Sequence, residues 1–248
     1  MSTEITFLGH STVLLKNGGL TVLTDPVLSD RVMATRRLVP FPLSPVDLPQ
    51  PTVILISHGH YDHLDLHSLK FFSREVPIVL PPGLGKLVSK FVSNPIIEIA
   101  HGCSHDPAIG LAISAFPVTH SALRLSGINY RGCNGYWIEM NGSKIFFPGD
   151  SAYRTDFASF REPDLALLPI APCKHSFFLK KRADLTPAEA IRVMEETGAK
   201  KMVPIHWGTF KLGFEAADAP MEALKQIVAE RNFADRVAIL KHGESLTL

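Results

Sequence analysis

Cysteine is scarce and scattered: Cys103, Cys133 and Cys173 are the three in 248 residues. Their number is odd and no two form a CxxC pair, which argues against a disulfide framework or a thiolate zinc site. Free thiols in a reducing compartment are the expectation. Excess charge is also missing. Lys plus Arg number 25 against 24 for Asp plus Glu, a formal charge of +1, so no global field pulls the chain onto nucleic acid or an anionic membrane. No apolar run approaches bilayer-spanning length, and the first strand-like run starts within a few residues of Met1 with no charged and apolar leader before it. These absences point to a soluble, cytoplasmic protein with no nucleic-acid partner and no stable membrane insertion. Repeats, low-complexity tracts and interdomain linkers are absent too. At 46% hydrophobic, the chain can bury a substantial core as one domain, 1–248.

What the sequence does contain is His58-Gly59-His60-Tyr61-Asp62-His63, four metal-capable side chains within six residues. They directly follow Thr52-Val53-Ile54-Leu55-Ile56-Ser57, an apolar, β-branched run that reads as a buried strand. The cluster therefore sits at a strand's C-terminal end, where α/β sheets place their chemistry. Histidines at i and i+2 can converge on one ion, while the aspartate at i+4 and the histidine at i+5 turn towards a second. Imidazole beside carboxylate favours a hydrolytic ion over a thiolate-type structural site. A solvated His-rich turn would explain one histidine but not this spacing.

Elsewhere Glu4 to Leu8, Thr12 to Lys16 and Leu20 to Thr24 read as an opening meander turning at Asn17-Gly18-Gly19. Helices are expected over Asp65 to Arg74, Leu84 to Val92, Pro187 to Thr197 and Met221 to Arg231. Ile78 to Leu80, Ile109 to Val118, Gly135 to Met140, Ser143 to Phe147 and Val237 to Leu240 read as strands. Periodicity alone gives only a mixed α/β or α+β domain.

The six-residue cluster matches the HxHxDH signature of the metallo-β-lactamase superfamily. The chain resembles that family further on, where His120, Asp150 and His206 follow strand-like runs in the family's order. Phe7-Leu8-Gly9-His10-Ser11-Thr12, Thr24-Asp25-Pro26-Val27, Pro187-Ala188-Glu189-Ala190 and Ile205-His206-Trp207-Gly208-Thr209-Phe210 are similar to one branch. That branch holds the N-acyl-phosphatidylethanolamine phospholipase D-like hydrolases and, more distantly, the ascorbate-6-phosphate lactonases. The resemblance implies an α+β, four-layer αββα sandwich. It implies two divalent metal ions, zinc first, with manganese or iron compatible with the same donors. His58, His60 and His120 would hold one ion, Asp62, His63 and His206 the other, and Asp150 would bridge both. A water between two such ions ionises near neutrality, so a metal-bridging hydroxide would attack without a dedicated protein base.

Around that set, His10 is expected to face the substrate or support a ligand, and Asp25 to orient a ligand imidazole. His67, His101, His105 and His242 read as non-ligands. Arg124, with Arg131 nearby, could receive a phosphate oxygen, and His175, in a basic loop with Lys174, Lys180, Lys181 and Arg182, is expected to bind substrate unless that loop is simply a solvated charge run. The 25–51 segment holds six prolines and several large apolar residues. It reads as a loop without secondary structure, a lid suited to a greasy substrate, unless it folds back onto the core. The related phospholipase-like enzymes carry His three residues before the helix-starting Pro, where this chain has Asp184. Asp184 is expected as a catalytic group beside Asp62, either an acid for the leaving group or a charge that disfavours anionic phosphodiesters. Capping the following helix or pairing with Arg182 is its structural alternative. The function expected is dinuclear metal-dependent hydrolysis of a phosphodiester or a related phosphorylated or acylated small molecule. A lactonase is the near rival, and a non-catalytic metal-binding scaffold the rival of another class. Association of identical chains is left open.

Overall fold

The computed structural model describes residues 2–121, 132–160, 162–171, 184–213 and 215–248. The opening runs form an antiparallel meander, β1 (Glu4–Gly9), β2 (Thr12–Asn17) and β3 (Leu20–Thr24). The 25–51 segment is not structureless. It carries a small ribbon of β4 (Arg31–Val32) and β5 (Thr35–Arg36) and one 3-10 turn at Pro45–Asp47. It folds back in part: Val27, Leu28, Val32 and Leu48 are buried, while Met33, Leu38, Val39, Leu43 and Val46 are exposed. Next come β6 (Val53–Leu55), β7 (Ile78–Leu80), the single-turn α1 (Gly85–Val88) and β8 (Ile96–Glu98), the three strands adding in parallel beside β3.

The second sheet follows as β9 (Ser104–Ala108), β10 (Leu111–Pro117), β11 (Asn134–Met140), β12 (Ser143–Phe147) and β13 (Leu165–Pro169). After α2 (Pro187–Thr197) it gains β14 (Lys201–Ile205); α3 (Ala219–Glu230) and β15 (Ser245–Thr247) end the chain. The strand orders are β15-β1-β2-β3-β6-β7-β8 and β14-β13-β12-β11-β10-β9. Alternation along each strand builds four layers. Val53 and Leu55 of β6 meet Ile113, Ile138, Phe147, Leu167 and Val203 of the other sheet in a core between the sheets. Ile54 and Ile56 face outward to Leu64, Leu69, Leu84 and Val88. On the opposite outer face Phe146, Ala166, Leu168 and Met202 pack under Ile191, Met194 and Leu224 of α2 and α3. This is the α+β, four-layer αββα sandwich that the resemblance implies.

Several expected elements differ, for tertiary reasons. The 65–74 helix is only a 3-10 turn, Ser68–Phe71. Asp65 is not its cap: His67 stands at the N-cap position without a side-chain cap bond, and Asp65 accepts from His67 N–H at 3.0 Å and the Ser68 hydroxyl at 2.6 Å from just before the turn. The 84–92 helix shrinks to α1, because beyond it the bonds alternate between i→i+3 (Lys90 to Leu87, Phe91 to Val88) and i→i+4 (Val92 to Val88). Val237 to Leu240 is not a strand: Val237 makes a single bridge to Met202. The next rung fails because Pro204 has no N–H to give and its carbonyl accepts from Trp207 Nε1 at 3.0 Å. The edge strand β9, which contains Pro107, was not expected. Among the described residues, no helix is long and apolar enough to cross a membrane.

Candidate metal centre

Strand direction decides what can meet. β1, β3 and β6 run the same way in one sheet, and β10, β12 and β14 in the other. Their C-terminal ends carry His10, Asp25, His58, His120, Asp150 and His206, all at one edge of the sandwich. Two groups of donors form there, each within 4.8 Å of one another: His58, His60, His120 and Asp150, and His10, Asp62, His63 and His206.

In the first group His58 Nε2 lies 2.9 Å from His60 Nδ1, which lies 3.1 Å from His120 Nε2. Asp150 Oδ2 is 3.8 Å from His58 Nε2 and 4.0 Å from His120 Nε2. The same oxygen is 3.1 Å from His63 Nε2 and 3.3 Å from His206 Nε2 in the second group. Asp62 Oδ2 stands 3.7 Å from His63 Nε2 and 3.6 Å from His206 Nε2. One carboxylate oxygen therefore faces imidazoles of both groups. Gly149 permits that placement. Its φ is +58°, and a Cβ there would lie 2.5 Å from Ser57 Cβ, so a side chain would push the Asp150 turn away from β6.

Do these residues fit metal ions? Donors bound to zinc at 2.0–2.1 Å sit about 3.3 Å apart around a tetrahedron, within the spread of separations here. His63 Nε2, His206 Nε2 and Asp150 Oδ1 are buried and without a hydrogen bond among the described residues, and the two imidazole nitrogens face Asp150 Oδ2. Among those residues, the ion-pair partners of Asp62 and Asp150 are all histidines. Burial opposes charge on His206, but Asp150 and Asp62 outweigh it and push its pKa up to about 10. Burial likewise opposes charge on Asp150, yet His206 and His63 hold it well below the usual carboxylate range. The cluster thus calls for positive charge at its centre. Divalent cations fit.

Outer contacts brace the inward-facing atoms. Asp25, wholly buried at the end of β3, accepts from His63 Nδ1 at 2.7 Å, Ser57 N–H at 2.7 Å and Ser57 Oγ–H at 2.6 Å. Ser57 Oγ is also 3.0 Å from His58 Nδ1. Sequence reading passed over Ser57, although its place one residue before the cluster was a signal. Asp184 Oδ1 lies 3.4 Å from His120 Nδ1. Burial first, then the Asp150 charge, push the Asp184 carboxyl up to about 6. It does not cap α2: Thr186 and Glu189 form a reciprocal capping box there.

A family model described as the beta-lactamase superfamily domain matches residues 21–207. The chain belongs to the metallo-β-lactamase superfamily. Within it, the chain is 32% identical to N-acyl-phosphatidylethanolamine-hydrolyzing phospholipase D 1 of Caenorhabditis elegans, over 91% of this chain and 70% of that protein. It is 30% identical to the mitochondrial enzyme of the same description from Saccharomyces cerevisiae, over 93% of this chain but only 53% of that one. The chain thus spans about half the length of the yeast relative. In fold it is similar to a possible metal-dependent hydrolase from Veillonella parvula DSM 2008, with a TM-score of 0.82 at 18% identity over 100% of both chains.

Of the residues singled out from sequence, the structure gathers His10, His58, His60, Asp62, His63, His120, Asp150, Asp184 and His206 at one edge. His101 instead bonds the Cys133 carbonyl at 2.9 Å, and His242 the Thr209 hydroxyl at 2.8 Å. Arg124, Arg131, Cys173 and His175 lie outside the described residues.

Proposed function

We propose that the chain is a dinuclear metal-dependent hydrolase acting on a phosphodiester or a related phosphorylated or acylated small molecule. In this reading His58, His60 and His120 hold one ion, Asp62, His63 and His206 the other, with Asp150 shared and zinc the preferred metal. The observation that carries it is Asp150 Oδ2, which lies within 4.0 Å of an imidazole nitrogen on each of His58, His63, His120 and His206. Divalent ions held there supply Lewis acidity, polarising the ester or phosphoryl oxygen and lowering the pKa of nearby water.

The chain's own part is orientation and proton handling. Asp25 fixes the proton of His63 at Nδ1, leaving Nε2 as a lone pair facing inward. Asp184, mostly buried and with its carboxyl pushed up to about 6, can carry a proton for a leaving group below that pH and is ionised above it. A mostly apolar cavity of about 510 Å³ is lined by Leu38, Val39, Trp207, Gly208, Ala217, Asp218, Lys241 and His242, and none of the metal donors lines it. The N-acyl-phosphatidylethanolamine hydrolysis for which the nematode and yeast relatives are named supports the phosphodiester class.

Elemental analysis of metal-replete protein, followed by assays on phosphodiesters, lactones and thioesters, tests this reading. Two ions per chain and phosphodiester turnover are expected. One ion or fewer sinks the dinuclear mechanism, and lactone turnover alone sinks the substrate class. Asp150→Asn should lower turnover by orders of magnitude while circular dichroism shows the fold retained, since a neutral amide cannot balance two dications.

A further inference from the structure

His10 falls among the donors of the second group, 2.9 Å from Asp62 Oδ2, yet its hydrogen bonds are arranged in the opposite sense to those of its neighbours. A neutral imidazole has one N–H and one bare nitrogen, and the partner of one nitrogen fixes the role of the other. His63 meets Asp25 through its outer Nδ1 and leaves Nε2 unbonded towards the centre. His58 likewise meets Ser57 Oγ through Nδ1 and turns Nε2 inward. In His10 the inner atom is the partnered one. Nε2 faces a carboxylate oxygen, which only accepts, so Nε2 carries the proton. Nδ1 is buried without a hydrogen-bond partner among the described residues. Ligation through Nε2 would move the proton to Nδ1 and bury an N–H with nothing to receive it. The ring is also held from both sides: its centroid is 4.0 Å from that of His206 and 5.5 Å from that of Phe210. Its backbone is fixed as well, N–H donating to Thr209 Oγ1 at 2.6 Å and the carbonyl accepting from His206 N–H at 2.9 Å.

We propose that His10 is a positioning residue, not a metal donor: it donates Nε2–H to Asp62 Oδ2 and holds that carboxylate in the orientation the second ion needs. The inference rests on the reading of Asp62 as a ligand, and its test separates the two. Metal-stripped parent, His10→Asn and His10→Gln are titrated with Zn²⁺ against a competing chelator, and bound zinc is counted at saturation. Asn tolerates the left-handed backbone at this position (φ +55°) but is too short to reach Asp62. Gln carries an amide N–H about as far out as His Nε2. The expected result is two ions bound by all three proteins. The second ion should bind about 10–100-fold more weakly to the Asn variant, with affinity restored by Gln. A Gln variant as weak as Asn, or loss of one ion at saturation, would make His10 a donor and overturn the proposal. An Asn variant equal to the parent overturns it as well. A parent that binds fewer than two ions overturns the dinuclear reading beneath it. Imidazole ¹⁵N spectra of the zinc-loaded parent give an answer that needs no substitution. A protonated Nε2 and bare Nδ1 on His10 support the assignment, and a protonated Nδ1 with a metal-shifted Nε2 refutes it.

Discussion

Asp25→Asn is a nearly isosteric change whose consequence can be worked out atom by atom. The aspartate uses Oδ1 for Ser57 N–H and Oδ2 for Ser57 Oγ–H and His63 Nδ1–H, in a place with no solvent exposure. Its φ is +35°, a region asparagine tolerates, so the backbone does not decide the outcome. An amide has one acceptor oxygen where the carboxylate had two. If the oxygen stays on Ser57 N–H, the NH₂ points at His63 Nδ1, and His63 must shift its proton to Nε2, the atom facing Asp150. If the amide flips, two donors face each other across Ser57 N–H. Each arrangement costs about 1–3 kcal/mol as a buried unsatisfied donor. At about 1.4 kcal/mol per factor of ten, that is roughly a 5–150-fold loss, overlapping the loss typical when a ligand's outer partner is removed.

The loss should fall on one ion. His58 keeps its Ser57 contact, so the first group is expected to bind near parent affinity, while the second ion, which needs His63 Nε2 bare, binds more weakly. Chelator-competed zinc titration of metal-stripped protein reads both affinities, and thermal unfolding reads the fold. Equal second-ion affinity in Asp25→Asn and parent would refute the claim that Asp25 sets the His63 tautomer.

Three further outcomes are expected. With His206 pushed up to about 10 before loading, an arriving cation must displace a proton at pH 7. Zinc titration in weak buffer should therefore release at least one proton per chain, and apparent affinity should rise from pH 7 to 9; zero release contradicts the charge assignment. Gly135→Ala would put a Cβ 2.2 Å from Phe116 Cε2. That ring is stacked on Phe146 with centroids 5.0 Å apart and cannot yield freely, so the variant should lose about 1–3 kcal/mol, and an unchanged Tm would show that the ring gives way. Asp184→His should raise the ratio of phosphodiester to lactone turnover without changing metal content, because an imidazole can donate to a phosphate oxygen that an ionised carboxylate repels; an unchanged ratio removes Asp184 from specificity.

What could be read from the sequence was whatever local chemistry closes locally. The bounds of β3, β12 and α2 coincide with the runs Leu20–Thr24, Ser143–Phe147 and Pro187–Thr197. Each is bounded by nearby residues: Asn17-Gly18-Gly19, Asn141-Gly142, and Thr186 with Gly198 at φ +71°. The His58–His63 turn was legible for the same reason, its residues being adjacent. Contacts that close over distance were not. Nothing near Pro204 shows that it ends the pairing of Val237. Nor does a run of residues show that His10 reaches Asp62, 52 positions later, or that Ser57 joins Asp25 to His58. The role of Ser57 depends on β3 and β6 lying side by side, where Asp25 N–H bonds the Leu55 carbonyl at 2.8 Å.

The same adjacency explains where the backbone is strained. His10, Asp25 and His206 have φ of +55°, +35° and +65°, and each is the first residue beyond a strand, β1, β3 and β14. A left-handed residue at that point turns the chain abruptly, so the side chain leaves the alternation of the sheet and projects over the sandwich edge. For residues other than glycine this costs on the order of 1–3 kcal/mol each. Glycine would relieve the strain but would bring no imidazole or carboxylate. The strain is held because the strands behind it cannot shift: Phe7, Leu23 and Ile205 are fully buried, and His206 N–H bonds the His10 carbonyl across the two sheets at 2.9 Å. Two strained residues from opposite sheets thus fix each other, one presenting a donor imidazole and the other the group that orients Asp62. Stability from the core is used at this edge to keep side chains where folding alone would not leave them.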